Sequence, residues 1–235
     1  MKTIRKTDIL VPADCDFSKW SVVACDQFTS ERKYWKDLEN YVGDAPSTLK
    51  LVFPEVYLED ADKQERIDKI NRTMQEYVDD GVFKTLKDSF VLVKRTTASG
   101  VSRLGVVLAV DLEEYCFTHP SHANIRSTEG VVLDRIPPRL KIRENAPVEL
   151  PHIMLLIDDR KKSVIERLWQ ERDENEKIYD FDLNMGGGHL LGYRVDAQKV
   201  IDLFDEYERS VQNLYGTGNN DFIFAVGDGN HSLAT

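Results

Sequence analysis

The chain is organised around the stretch Phe222-Ile-Phe-Ala-Val-Gly-Asp-Gly-Asn-His-Ser-Leu-Ala-Thr235. The apolar run over residues 222–226 predicts a buried strand. Gly227 and Gly229, on either side of Asp228, permit a tight turn and a close approach of the backbone to a ligand. Ser232 has the side chain typical of a helix N-cap, and a helix beginning there would direct free N–H groups at an anion. The stretch therefore predicts a site, without specifying a reaction.

Composition narrows the class of protein. The chain has 235 residues, a hydrophobic fraction of 41% and a net charge of −10, with a pI near 5.1. This acidity disfavours binding to nucleic acid or to an anionic membrane. Three cysteines without a CxxC pair, a polar N-terminus and the lack of a long apolar run predict a cytoplasmic protein with no membrane partner. The oligomeric state is left open.

Hydrophobic periodicity predicts an α+β fold in which mixed sheets carry flanking helices. Two hairpins are expected, over residues 90–110 and 179–195, and Asp196 is expected to cap the helix that follows. The other predicted strands are residues 9–11, 22–25 and 153–157, and the other predicted helices are residues 31–41, 62–78 and 164–169. We expect a domain boundary near residue 120, which divides an N-terminal α/β region (1–120) from a region carrying the functional motifs (121–235).

The terminal motif fits neither standard phosphate-binding pattern, because Ser232 stands where a third Rossmann glycine is expected and no Gly-Lys is present. Asp228 is a candidate Mg²⁺ ligand or base, and His231 a candidate phosphate donor or proton shuttle. Ser232 and neighbouring backbone amides are candidates for holding an anion. The alternative is a turn in which the polar side chains only cap backbone groups.

A basic cluster precedes this motif. Five basic and two acidic residues between Arg126 and Arg143 give a local charge of +3. With Pro138 as the first helical residue, Arg139 and Arg143 lie one turn apart on one face and are candidates for bidentate binding of phosphate or carboxylate. Glu129 is either a general base or an ion-pair partner. The alternative is a solvated basic helix.

Three weaker candidates for chemistry remain in the sequence. Cys25 has no obvious histidine partner, so nucleophilic catalysis there is unsupported. His152, next to a proline at the start of a strand, is typical of a structural histidine. His119 and His122 with Cys116 resemble a metal site that lacks a fourth ligand.

Five stretches together resemble the bacterial domain-of-unknown-function family 1015. They are Ala24-Cys-Asp-Gln-Phe-Thr29, Ile125-Arg-Ser-Thr-Glu-Gly130, Arg135-Ile-Pro-Pro-Arg139, Glu149-Leu-Pro-His-Ile153 and Gly227-Asp-Gly-Asn-His-Ser232. The resemblance spans nearly the whole chain and implies a longer protein that continues past the terminal motif. The family's motif is in turn similar to that of the ParB/sulfiredoxin superfamily, which includes a nucleotide-dependent free-serine kinase, and this implies a ParB/sulfiredoxin-like core.

The resemblance transfers residue by residue. Asp228, Gly229 and His231 match the motif, whereas Asn230 stands where the kinase-like motif has a histidine and sulfiredoxin its reactive cysteine, which argues against sulfiredoxin chemistry. Because Ser232 replaces the motif's arginine, phosphate binding would depend on the arginines of the basic cluster.

The resulting hypothesis is a phosphotransferase that uses ATP or ADP with Mg²⁺ and acts on a small hydroxylated metabolite. Asp228, His231 and Glu129 are its catalytic candidates, and Asp228 is also the metal candidate. Its anion- or nucleotide-binding candidates are Gly227, Gly229, Asn230, Ser232, Arg126, Thr128, Arg139 and Arg143. The alternative is a ParB-like nucleotide switch or a non-catalytic binding module.

Overall fold

A computed structural model describes residues 3–118, 121–150, 152–212 and 222–235. The strands are β1 (Ile4–Arg5), β2 (Ile9–Pro12), β3 (Phe83–Leu86), β4 (Ser89–Thr96), β5 (Ser102–Val107), β6 (Ala109–Val110), β7 (Tyr115–Cys116), β8 (Ile125–Arg126), β9 (Met154–Leu156), β10 (Lys177–Leu183), β11 (Gly188–Asp196) and β12 (Phe224–Asp228). The helices are α1 (Phe17–Trp20), α2 (Arg32–Val42), α3 (Lys63–Asp79), α4 (Ile136–Arg143), α5 (Ile165–Gln170), α6 (Ala197–Gln212) and α7 (Asn230–Ala234). The predicted α+β class is confirmed.

The largest sheet is antiparallel, in the order β10-β11-β4-β5, and contains both predicted hairpins. Its central strand β4 is buried over Phe90, Val91 and Leu92. Helix α6 begins after Asp196, whose side chain accepts a hydrogen bond from the Lys199 N–H at 2.9 Å, as the sequence predicts. Its apolar stripe joins β4 in the first hydrophobic core through Val200, Leu203, Phe204, Tyr207 and Val211. Leu214, which the predicted stripe also included, lies outside the described residues.

A second four-stranded sheet is mixed, in the order β7-β8-β12-β9. Strand β12 runs parallel to β8 and antiparallel to β9, and it sends Phe224 and Val226 into the first core. The strand predicted over residues 222–226 thus exists, shifted toward the site. The apolar run over residues 153–157 predicts a buried strand, but β9 is an edge strand with Met154 and Leu156 exposed.

Helices α2 and α3 enclose a second core, centred on Trp35, Leu38, Ile70 and Met74. Both helices lie within a residue of their predicted bounds, because their apolar residues recur at the helical period. The first core joins Ile4 and Phe90 to Ile125, so strands on both sides of residue 120 share it. The domain boundary near that residue, like the ParB-like core, stays a prediction.

Three local predictions are wrong. Residues 22–25 are not a strand, and Cys25 lies in a turn. The Cys25 carbonyl accepts a hydrogen bond from the Glu55 N–H at 2.8 Å. Ser232 is not the N-cap of α7, because Gly229 takes that position with a φ of 86°. Helix α4 begins at Ile136, two residues before Pro138. In the ranges described, no helix has both the length and the apolar character to cross a membrane.

Candidate functional site

Two glycines shape the loop that follows β12. The pairing of β12 with β9 is irregular between Val226 and Asp228. A Cβ added to the intervening Gly227 would lie 2.8 Å from both Cγ and Cδ1 of Leu156. Gly229 has a φ of +86°, in the left-handed region that favours glycine. Packing and backbone conformation therefore account for both glycines without a ligand.

Asn230 joins this loop to the residues after β8. Its side chain is buried, and its Oδ1 accepts a hydrogen bond from the Thr128 N–H at 3.1 Å. The Thr128 hydroxyl donates to the Val226 carbonyl at 2.5 Å. Both predicted ligand-binding residues thus hold the ends of two neighbouring strands together.

His231 connects the loop to the same segment. Its Nε2 accepts a hydrogen bond from the Val132 N–H at 2.9 Å, and its Nδ1 lies 3.7 Å from Oε1 of Glu129. Because Nε2 is an acceptor, the neutral ring carries its proton on Nδ1, the atom that faces the carboxylate. The histidine side chain is 13% exposed and that of Glu129 is 59% exposed, so the carboxylate is the more accessible of the two.

Two arginines of α4, Arg139 and Arg143, contact residues far from α4 in the chain. Arg139 forms an ion pair with Glu55, which precedes α3 in the chain. Arg143 donates to the Ser232 carbonyl at 3.0 Å and to Glu149 at 2.7 Å. Both arginines therefore already form ion pairs with protein carboxylates and are not free to bind a phosphate.

Arg126 lies apart from these arginines. Its Nε donates to the Ala123 carbonyl at 2.9 Å, and its guanidinium lies 5.1 Å from the centre of the Phe222 ring.

These elements surround a cavity of about 340 Å³. The sequence-predicted residues in its lining are Glu129, Arg139, Arg143, Asp228, Gly229, Asn230, His231 and Ser232. Gly227, Arg126 and Thr128 are absent from the lining. All five stretches that carry the family resemblance contribute to the cavity, although they are separated by up to two hundred residues in the chain.

Sequence reasoning missed several residues of this lining: Cys25, Asp26, Glu55, Arg135, Glu149 and His152. Five of the six belong to the resemblance stretches, which was the signal that could have identified them. Cys25 has no predicted catalytic role and His152 is predicted to be structural, yet both residues line the cavity. Burial, reinforced by the charges of Asp26 and Glu55, raises the pKa of the Cys25 thiol to about 11, so it is protonated and poorly nucleophilic at neutral pH.

The cavity lining combines charged and apolar residues. It includes five carboxylates and three guanidinium groups, and two of the latter are paired as described above. Arg135 is exposed, and no ion pair to it or to Asp228 occurs among the described residues. The Asp228 carboxylate accepts a local hydrogen bond from the Gly229 N–H at 2.8 Å. The apolar lining residues are Leu51, Val52, Phe53, Leu58, Ile70, Met74, Ile142, Ala146, Val148 and Leu150.

The described ranges contain no group of three or more His, Cys, Asp or Glu side chains placed to hold a metal ion. The metal site considered above at Cys116, His119 and His122 stays untested, because His119 lies outside the described residues. Asp228 alone offers one carboxylate, and Mg²⁺ in nucleotide sites is often held by one or two carboxylates together with phosphate oxygens. The residues present therefore fit a Mg²⁺ ion that arrives with its nucleotide, and not a resident ion.

Comparison with known proteins identifies the family. The model of the family described as "Protein of unknown function (DUF1015)" matches residues 10–235, so the chain belongs to this family. Searches of curated proteins and of solved structures found no match.

Proposed function

We propose that the cavity is the ligand site of a phosphotransferase that uses ATP or ADP with Mg²⁺ and acts on a small hydroxylated metabolite. The observation that carries this proposal is the convergence of all five resemblance stretches on one cavity. A volume of about 340 Å³ is at the lower end of the range for small-molecule sites, and a lining that combines apolar side chains with a few polar groups is typical of them.

The apolar and the charged lining residues have different roles in this proposal. The apolar residues would contact the least polar part of the ligand, and the exposed guanidinium of Arg135 would bind a phosphate. An excess of carboxylates repels a free polyphosphate, so the charge balance favours a nucleotide whose charge is partly neutralised by Mg²⁺. When bound, Mg²⁺ would also neutralise charge on the transferring phosphoryl group, with Asp228 as its protein ligand.

Glu129 is the best-placed base. Its carboxylate is exposed and lies near the Nδ1–H of His231, which would orient it toward the hydroxyl of the substrate. The proton of that hydroxyl would pass to Glu129 as the oxygen attacks the terminal phosphoryl group. The bond from that phosphorus to the bridging oxygen would break, and ADP (from ATP) or AMP (from ADP) would leave. His231 would then act as a positioning residue, because its other ring nitrogen is already bonded to Val132.

The second candidate is nucleotide binding without turnover. It is favoured by the hydrogen bonds of His231, Arg139 and Arg143, which already engage these groups with protein partners. Binding alone requires no rearrangement of these contacts.

Titration calorimetry with ATP and ADP, with and without Mg²⁺, tests the proposal. We expect saturable heat that depends on Mg²⁺, and a loss of about tenfold or more in affinity for Asp228→Asn and Arg135→Gln, since each removes a charge-assisted interaction. Asp79→Asn and Arg103→Gln, which change exposed residues outside the cavity lining, are the matched controls.

No heat with any nucleotide would overturn the proposal. Phosphoryl transfer to hydroxylated metabolites is measured by ³¹P NMR. Nucleotide binding without such transfer would support the second candidate.

A further inference from the structure

One wall of the cavity contains no buried side chain. Residues 128–150, which include α4, are all exposed or half-buried, yet they supply Glu129, Arg135, Arg139 and further members of the lining. Strand β4 and helix α6, by contrast, bury several apolar side chains each. We call residues 128–150 the strap.

Polar contacts hold the strap at intervals along its length. At its start, Thr128 bonds to Asn230 at 3.1 Å, and Val132 bonds to His231 at 2.9 Å. Near its middle, Arg139 pairs with Glu55. Farther along, Arg143 bonds to the Ser232 carbonyl at 3.0 Å.

Apolar contacts of the strap are partial and limited to its second half. Ile142, Ala146, Val148 and Leu150 pack against the second core without being fully buried. On the outer side, Val132, Leu133 and Leu140 are 48%, 64% and 47% exposed. A segment that buries little apolar surface and is held by hydrogen bonds at discrete points opens at a lower free energy than the cores.

We propose that the strap is a lid, which opens as one segment while both hydrophobic cores stay folded, and so admits the ligand to the cavity. The groups that hold it closed are the same loop residues, 230–232, that border the cavity, together with Glu55 on the opposite flank. This inference rests on the proposal that the cavity is a ligand site, but not on the identity of the ligand.

Cys25 provides a reporter of opening within the cavity. Its thiol lines the cavity and has a pKa raised to about 11 by burial. Opening of the strap would expose it to water and return the pKa toward the ordinary value, which increases the reactive thiolate fraction. With Cys15→Ser and Cys116→Ser in place, the rate of alkylation by N-ethylmaleimide at constant pH therefore measures access to the cavity.

The tether variants are Arg139→Gln, which removes the pair with Glu55, and Asn230→Ala, which removes the bond to Thr128. Because the charge of Arg139 lowers the pKa of the Cys25 thiol, its removal by itself would slow alkylation, so faster alkylation in Arg139→Gln reports opening of the strap. We expect each to accelerate alkylation of Cys25 about 5- to 10-fold, the change in opening equilibrium that corresponds to one lost hydrogen bond. Hydrogen exchange measured by mass spectrometry should accelerate over residues 128–150 and stay unchanged over β4 and β11. Arg5→Gln, which removes the surface ion pair with Asp111, is the matched control and should change neither rate.

Two results would overturn the proposal. The first is that neither tether variant changes alkylation or exchange in the strap. The second is that exchange accelerates in β4 and β11 to the same degree as in the strap, which would mean that the cavity opens only by global unfolding. Arg139→Gln keeps the test decisive if Asn230→Ala fails to fold, because Arg139 is not buried. The experiment uses no nucleotide, so a failure of the proposed phosphotransfer leaves its outcome interpretable.

Discussion

The backbone N–H of Val132 donates a hydrogen bond to Nε2 of His231 at 2.9 Å. His231, a catalytic candidate from the sequence, thereby holds the strap through one ring nitrogen. Its other nitrogen remains directed at Glu129, at 3.7 Å. A positioning role combines both contacts, whereas proton transfer at Nε2 would require the bond to Val132 to break.

The first prediction concerns the tautomer of His231. We expect long-range ¹H–¹⁵N NMR spectra to show a neutral ring protonated on Nδ1, because Nε2 accepts the bond from Val132. His231→Ala should lower the free energy of unfolding by about 1–2 kcal/mol through the lost hydrogen bond and its unsatisfied donor. Denaturant titration measures this change. A neutral ring protonated on Nε2 would contradict the geometry.

The second prediction tests why asparagine stands at position 230. Asn230 is buried at 4% exposure and bonds to Thr128, so the larger histidine of the kinase-like motif has no room there. We expect Asn230→His to destabilise the protein by about 1–3 kcal/mol through overpacking. The control, Asn40→His, makes the same change at an exposed asparagine of α2 and should have a small effect. Equal stability of Asn230→His and the natural protein would show that the loop tolerates the motif's histidine.

The third prediction concerns the contact between β12 and β9. Gly227→Ala places a methyl group at the position that lies 2.8 Å from Leu156 Cγ, and should cost about 1–3 kcal/mol of stability. Leu156→Ala in the same chain should recover most of this loss, because it removes the clashing atoms. Gly130→Ala, with open space around its Cβ, is the control. An additive double variant would show that the clash is not the cause.

The fourth prediction concerns pH. The carboxylates of Asp182 and Asp180 raise the pKa of His189, with the Asp182 hydrogen bond the largest cause. A histidine pKa raised on folding contributes stability that is fully present below its unfolded value near 6.5 and is lost as pH rises through the folded value. NMR titration of the His189 ring should show a pKa above 6.5, and Asp182→Asn should lower it, while Asp79→Asn should not. An unchanged pKa in Asp182→Asn would exclude this cause.

The fifth prediction ranks the cysteines. Hydrogen bonds from Thr118 and Ser121 lower the pKa of the Cys116 thiol, whereas burial raises those of Cys15 and Cys25, the latter to about 11. We therefore expect alkylation at neutral pH to modify Cys116 first and Cys25 last, as followed by peptide mass spectrometry. Faster modification of Cys25 than of Cys116 would show that the cavity is open in solution.

Local pattern was sufficient where a segment's structure depends on its own residues. The stripes of α3 and α6 and the glycine-containing turns of both hairpins were predictable, because helical and strand periods are recorded in the order of the residues. Asp196 as a cap was predictable for the same reason. At Ser232 the same reasoning failed, since Gly229, with its left-handed φ, is the N-cap of α7, three residues before the serine.

The sequence by itself determined the α+β class, the family and eight of the residues that line the cavity. Only the tertiary structure decided that Cys25, Glu55 and His152 line the same cavity as Asp228, because their convergence depends on packing between segments far apart in the chain, which leaves no periodic signal. It also decided that Arg139 and Arg143 are paired and that Asn230 and His231 hold the strap. Residue type shows which groups can bind a ligand, whereas the partners that already satisfy them are fixed by the fold.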